Sequence, residues 1–221
     1  MSVRMVVQHG PKEKRAVAIA IDWPGWSRGA KTPDAAIEAL EAYRERYRPV
    51  ARLAGFEAEF DAAGALDIVE DHVGVGSTDF WGISFAASSF EQGPMPAGEI
   101  ERKLALLQAA WRFFDDVAAR VSAEMAKGPR GGGRDRDEIV AHVFRNEEGD
   151  FGRRVGVHTP EGAIFTDDGL RTHRANFLAG IRDHNAEGKK AGRSWTVPFL
   201  IRHTAFHALD HAWEMEDKDL A

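Results

Sequence analysis

Two short runs dense in Val and Ile, at residues 3–8 and 15–22, open the chain, with Gly10-Pro11-Lys12 between them. β-branched runs parted by turn residues predict a pair of strands joined as a hairpin. Pro24-Gly25 breaks the second run, and the following loop reaches Thr32, an N-cap ahead of Pro33 at the first helical position. From Asp34 the period changes: Ala36, Leu40, Tyr43 and Tyr47 recur at helical spacing until Pro49, which should end or kink the helix near residues 50–53. Residues 66–73 and 81–86 return to strand composition on either side of Gly74-Val75-Gly76-Ser77. Two strands, a helix and two strands predict a small α+β unit over residues 1–92.

Gly93, Pro94, Pro96 and Gly98 mark a linker at residues 90–98, and beyond it the pattern is helical. Ile100, Leu104, Leu107, Trp111, Phe114, Ala118 and Val121 form one long apolar stripe, closed by Gly128-Pro129 and a triple-glycine loop. Asp135 with Glu138 forms a capping box for a second helix to about residue 148. Thr166 caps a third helix with Leu170, Phe177, Leu178 and Ile181 on its face, and Thr196 with Pro198 begins a fourth. Four amphipathic helices with modest connections predict a four-helix bundle over residues 98–221. The fold class expected is therefore α+β.

Composition narrows the chemistry. The 221 residues carry a net charge of −6 with histidines neutral, which disfavours a nucleic-acid partner. With no cysteine, a metal here must take imidazole, carboxylate or water. No apolar run of ~18 residues predicts a membrane span, and no secretory leader is recognised at the N-terminus, so a cytoplasmic location is expected.

The histidines then stand out. His203, His207 and His211 recur every four residues in the stretch 202–214, so neighbouring rings can converge on one ion. His207 and His211 occupy stripe positions where a bundle helix normally carries Leu, and His203 lies about 40° to one side. Hydrogen-bonded or exposed histidines are the plain alternative, because the spacing alone is weak. His142, beside Ile139 and Val143 on the second helix, offers a third ligand. Glu214 follows His211 by three residues and could donate an oxygen or orient a ring nitrogen. Asp210 is expected on the helix surface. His9, His72, His158, His173 and His184 are assigned to surface or local hydrogen bonds.

Two resemblances follow from these residues. The stretch from Ala18 to Ala36, with Asp22-Trp23-Pro24-Gly25 and the Thr32-capped helix, resembles the strand–turn–helix of HicB-like domains. That likeness implies a HicB-like fold and a partner-binding role for residues 1–92. One histidine on the second helix and H-x-x-x-H on the last resembles the DinB/YfiT-like metal-binding bundles, over roughly residues 98–217. This resemblance implies that His142, His207 and His211 hold a divalent metal (Zn, Ni, Fe or Mn), with His203 outside the ligand set. It further implies a small-molecule substrate and a metal-dependent transferase using a low-molecular-weight thiol cosubstrate. Arg145, Arg153, Arg154, Lys189, Lys190 and Arg193 could draw an anionic substrate to the bundle, or be solvated surface charge. The rival reading is a non-enzymatic interaction protein whose bundle serves as the contact face of a homodimer.

Overall fold

The computed structural model describes residues 2–128 and 133–221. The expected hairpin forms: β1 (Val3–His9) and β2 (Ala16–Ala20) pair antiparallel from Met5↔Ala20 to His9↔Ala16. β3 (Ser27–Ala30) pairs antiparallel with β2, and β4 (Leu66–Val73) pairs parallel with β1, giving the order β3-β2-β1-β4. Every residue of β2 is buried, as a continuous apolar run in a central strand requires.

The strand expected over 81–86 is not there. Residues Gly76–Trp81 form a short helix, α4, closed by Gly82 in the left-handed region at φ 69°. The free edges of the β1–β2 pair are already taken by β4 and by β3, a segment expected as loop. Asp79 of α4 fixes the arrangement by accepting from the backbone N–H groups of Lys12 and Lys14, each at 2.8 Å. At position 29 only glycine fits, because a Cβ there would lie 2.1 Å from the carbonyl oxygen of Gly82 crossing β3.

Between β3 and β4 run α1 (Pro33–Ala42), α2 (Arg44–Leu53) and α3 (Glu57–Asp61). Thr32 caps α1, its hydroxyl accepting from Ala35 N–H. The break expected at Pro49 falls instead at Tyr43, whose φ of −94° and ψ of 3° leave the helical region, and α2 continues through Pro49. The turn sends two tyrosines different ways. Tyr43 meets Trp213 edge-on at 5.1 Å, while Tyr47 stacks on Trp26 and donates to the Pro24 carbonyl at 2.9 Å.

The four long helices follow: α5 (Ala97–Arg120), α6 (Arg136–Asn146), α7 (Asp167–Ala186) and α8 (Val197–Lys218). Their starts are those the sequence marks. The Asp135–Glu138 capping box is formed, and Thr166 and Thr196 accept from the N–H groups of Gly169 and Phe199. Beyond Asn146, residues Glu147–Phe151 make a π turn, where the sequence suggested more α-helix. Such turns commonly re-aim side chains at functional positions.

α8 is buried along most of its length and packs chiefly on α5. One cluster of buried side chains runs from Met5 and Ala18 of the sheet through Leu40 and Tyr47 to Leu104, Leu107, Leu200, Leu209 and Trp213. Charged groups reinforce this join. Arg202 of α8 pairs with Glu91 at 2.5 and 3.1 Å with both buried, and Arg28 of β3 meets Asp210 of α8 at 2.6 Å. The molecule is thus mixed α+β, a four-stranded sheet followed by helices. Among the described residues, no helix is long and apolar enough to cross a membrane.

Candidate metal centre

α6 and α8 bring His142, His207 and His211 together. Each ring offers a nitrogen, and these atoms all lie within 4.8 Å of one another. His142 follows the buried Ile139 by one helical turn and sits next to buried Val143, so core packing fixes its backbone while its ring reaches toward α8. His207 and His211 are one turn apart, with ring centroids 4.7 Å from each other and 5.1 and 4.8 Å from that of His142. All three are half-buried, so the triad has an open side.

The closest approach is Nε2 of His142 to Nε2 of His207, at 3.3 Å. Two nitrogens bound to one tetrahedral zinc at about 2.0–2.1 Å stand roughly 3.3 Å apart, so this edge already has the dimension of a metal site. The triad's limit of 4.8 Å compares with roughly 4.1 Å for the widest pair a single ion could hold. Reaching that limit shortens the widest pair by roughly 0.7 Å, and reaching tetrahedral spacing by roughly 1.5 Å, which ring rotation must supply. His207 also keeps a buried Nδ1 that meets no hydrogen-bond partner among the described residues.

Electrostatics favour neutral rings at His142 and His207, as metal ligation requires. Burial first, then the neighbouring charges of His211 and Arg134, pushes His142 down to about 4. Burial and the other two triad rings hold His207 well below the usual imidazole range. His211 is oriented from behind, its Nδ1 lying 2.7 Å from Oε2 of Glu214. That carboxylate is buried, which alone would raise its pKa. The hydrogen bond and charge of His211, with Lys218 at 3.2 Å and Arg134 at 3.4 Å, nevertheless bring it down to about 2. Glu214 therefore stays ionised and positions the ring of His211, the arrangement by which carboxylates commonly hold metal-ligating imidazoles.

His203 is not part of the group. It is enclosed by Phe85, Trp195, Phe199, Phe151 and Phe206, with centroid distances of 5.0 to 6.3 Å, and burial lowers it to about 3. Phe151, delivered by the π turn, forms the partition, packing on His203 at 5.9 Å and His207 at 5.4 Å.

The other histidines have local partners, as expected. His9 meets Asp71, His72 meets Glu70 and Gln8, His173 meets Thr159 and His184 meets the Gly180 carbonyl, while His158 is exposed. The six basic residues that could have formed an anion-attracting mouth are mostly engaged or exposed elsewhere. Arg154 pairs with Asp150 and stacks on Trp195, Lys189 pairs with Glu187, and Arg153, Lys190 and Arg193 are exposed. Arg145 alone among them acts on His142. Asp210, expected as a plain surface group, instead binds Arg28. Sequence reasoning passed over Arg134 and Lys218, since nothing in their spacing ties a glycine-loop arginine or a terminal lysine to Glu214. Comparisons of this chain with protein-family models, with curated proteins and with solved structures find no match.

Proposed function

We propose that this chain binds one divalent cation through His142, His207 and His211 and serves a metal-dependent transfer that uses a low-molecular-weight thiol as cosubstrate. The observation that carries the reading is the 3.3 Å approach of two imidazole nitrogens from different helices, with a third ring beside them. Packing two neutral imidazoles nitrogen to nitrogen satisfies at most one hydrogen bond, and a cation uses both lone pairs. The likeness of residues 98–217 to DinB-type bundles, and of the N-terminal unit to HicB-like domains, belongs to this proposal.

Bound there, such an ion would supply Lewis acidity and lower the pKa of a water or thiol at its remaining positions. The chain's own residues do the rest. His142 and His207 present lone pairs at neutral pH, and Glu214 fixes His211. Phe151 shields the inner side of His207, leaving the outer side for substrate. The absence of cysteine means that the reacting thiol must come from solution.

Metal analysis after zinc loading and dialysis at pH ~7.5 tests the reading. Wild type should retain about one ion per chain, and His142→Ala and His207→Ala should fall to background. Glu214→Gln should retain the ion with affinity lower by roughly 10–100-fold. Wild type emerging without zinc would leave the rings as a hydrogen-bonded pair and overturn the proposal.

A further inference from the structure

A site built only to hold a cation gathers negative charge around itself, and this one does not. Among the described residues, the carboxylate in hydrogen-bond contact with the triad is Glu214, and it is already engaged by His211 and by Lys218. Two guanidinium groups act on the same rings. Arg134, just ahead of α6, bears on both His142 and His207, and Arg145, one turn beyond His142, bears on His142. Arg145 is exposed and lies over the Phe165 ring at 5.6 Å.

Arg134 is the more telling of the two. Its Nη2 reaches Glu214 only at 3.4 Å, long for a charged pair, which normally closes to about 2.7–2.9 Å. Its buried Nε meets no hydrogen-bond partner among the described residues. A half-buried guanidinium beside these rings, with a long contact to Glu214 and an Nε unpartnered among the described residues, is suited to take a planar anion in its fork. Loading a dication among these arginines would leave the pocket strongly positive unless an anion entered with it.

Building on the metal reading above, we infer that the small molecule completing the coordination carries a carboxylate, which Arg134 grips while a second atom of the same molecule meets the ion. Arg134 is then the specificity-determining residue of the site, selecting acidic thiols over neutral ones of similar size. Lys218 and Glu214 remain a supporting pair behind His211, and Arg145 contributes long-range attraction only.

The probe is a pair of thiols, mercaptoacetate and 2-mercaptoethanol, titrated into the cobalt(II)-loaded full chain. Thiolate-to-cobalt charge-transfer absorption reports occupancy, and parallel dialysis reports cobalt stoichiometry. Wild type should bind mercaptoacetate more tightly by roughly tenfold or more, the scale of one charge-assisted contact. Arg134→Gln should hold cobalt at the same stoichiometry and lose that preference, and Arg134→Lys should recover part of it. Equal affinities in wild type, or a preference that survives in Arg134→Gln, would overturn the role of Arg134 while leaving the metal site intact. Loss of cobalt from Arg134→Gln would reassign Arg134 to supporting Glu214 and overturn the proposal. Failure of wild type itself to bind cobalt would strike the metal reading, and with it this one.

Discussion

His203, His207 and His211 share one helix and one spacing, yet their surroundings give them different chemistry. His203 lies between aromatic rings, stacked on Phe199 with 17° between the planes, and burial followed by the charge of Arg202 lowers it to about 3. It is uncharged at neutral pH. The unfolded chain protonates this imidazole near pH ~6.5. The stability it lends is therefore complete above that value and is lost as pH falls toward 3, because the unfolded state takes up a proton that the folded state refuses. His203→Phe, which keeps a ring in the cage, should flatten the decline of stability between pH 6 and 4 by about 1.4 kcal/mol per pH unit. Urea denaturation at several pH values reads this directly, and an unchanged slope would show that His203 takes up its proton in the folded state. The four-residue spacing made all three rings visible in the sequence. It could not separate them, because two of the groups that do so, Phe85 and Phe151, lie far away along the chain. Arg134 was hidden for the same reason, its importance resting on a contact with Glu214 eighty residues on.

At the level of elements, α1 and the later helices α6, α7 and α8 were legible because their starts are written locally, whereas α3 and α4 were not. Thr32, the Asp135–Glu138 box, Thr166 and Thr196 each cap the helix they were expected to cap. β3 was not legible. Ser27-Arg28-Gly29-Ala30 has no strand-forming composition, and the segment is extended because the edge of β2 pairs with it. The shift of the helix break from Pro49 to Tyr43 likewise serves tertiary contacts, with Tyr43 turned onto Trp213 and Tyr47 onto Trp26. α8, which carries two of the three clustered histidines, is held in place by Arg202 against Glu91 of the turn at residues 88–91. Glu91→Ala strands a buried guanidinium and should cost about 3–5 kcal/mol in chemical denaturation. The double replacement Glu91→Leu with Arg202→Met removes both charges and should lie much closer to wild type. If the single and double variants are equally damaged, packing at these positions matters and the ion pair does not.

For the molecule as a whole, the continuous core decides how the parts behave together. Met5, Tyr47, Leu107, Leu200 and Trp213 belong to one buried cluster that joins the sheet to the helices, beside a small second cluster of Val6, Val17, Ile19 and Ile21. Far-ultraviolet and near-ultraviolet circular dichroism should therefore report one coincident unfolding transition. Two resolved transitions would show that the segments before and after residues 90–98 fold independently. Within that frame α5 and the sheet fix α8, α8 and α6 carry the triad between them, and the open side of the triad faces outward. Whether the imidazoles of two helices share one ion is tested most directly by X-ray absorption at the zinc edge of the loaded full-length protein. Imidazole scattering from three nitrogens at about 2.0–2.1 Å is expected in wild type, with no zinc signal above background in His142→Ala. A zinc shell of oxygens without imidazole back-scattering, or one unchanged by His142→Ala, would contradict shared ligation.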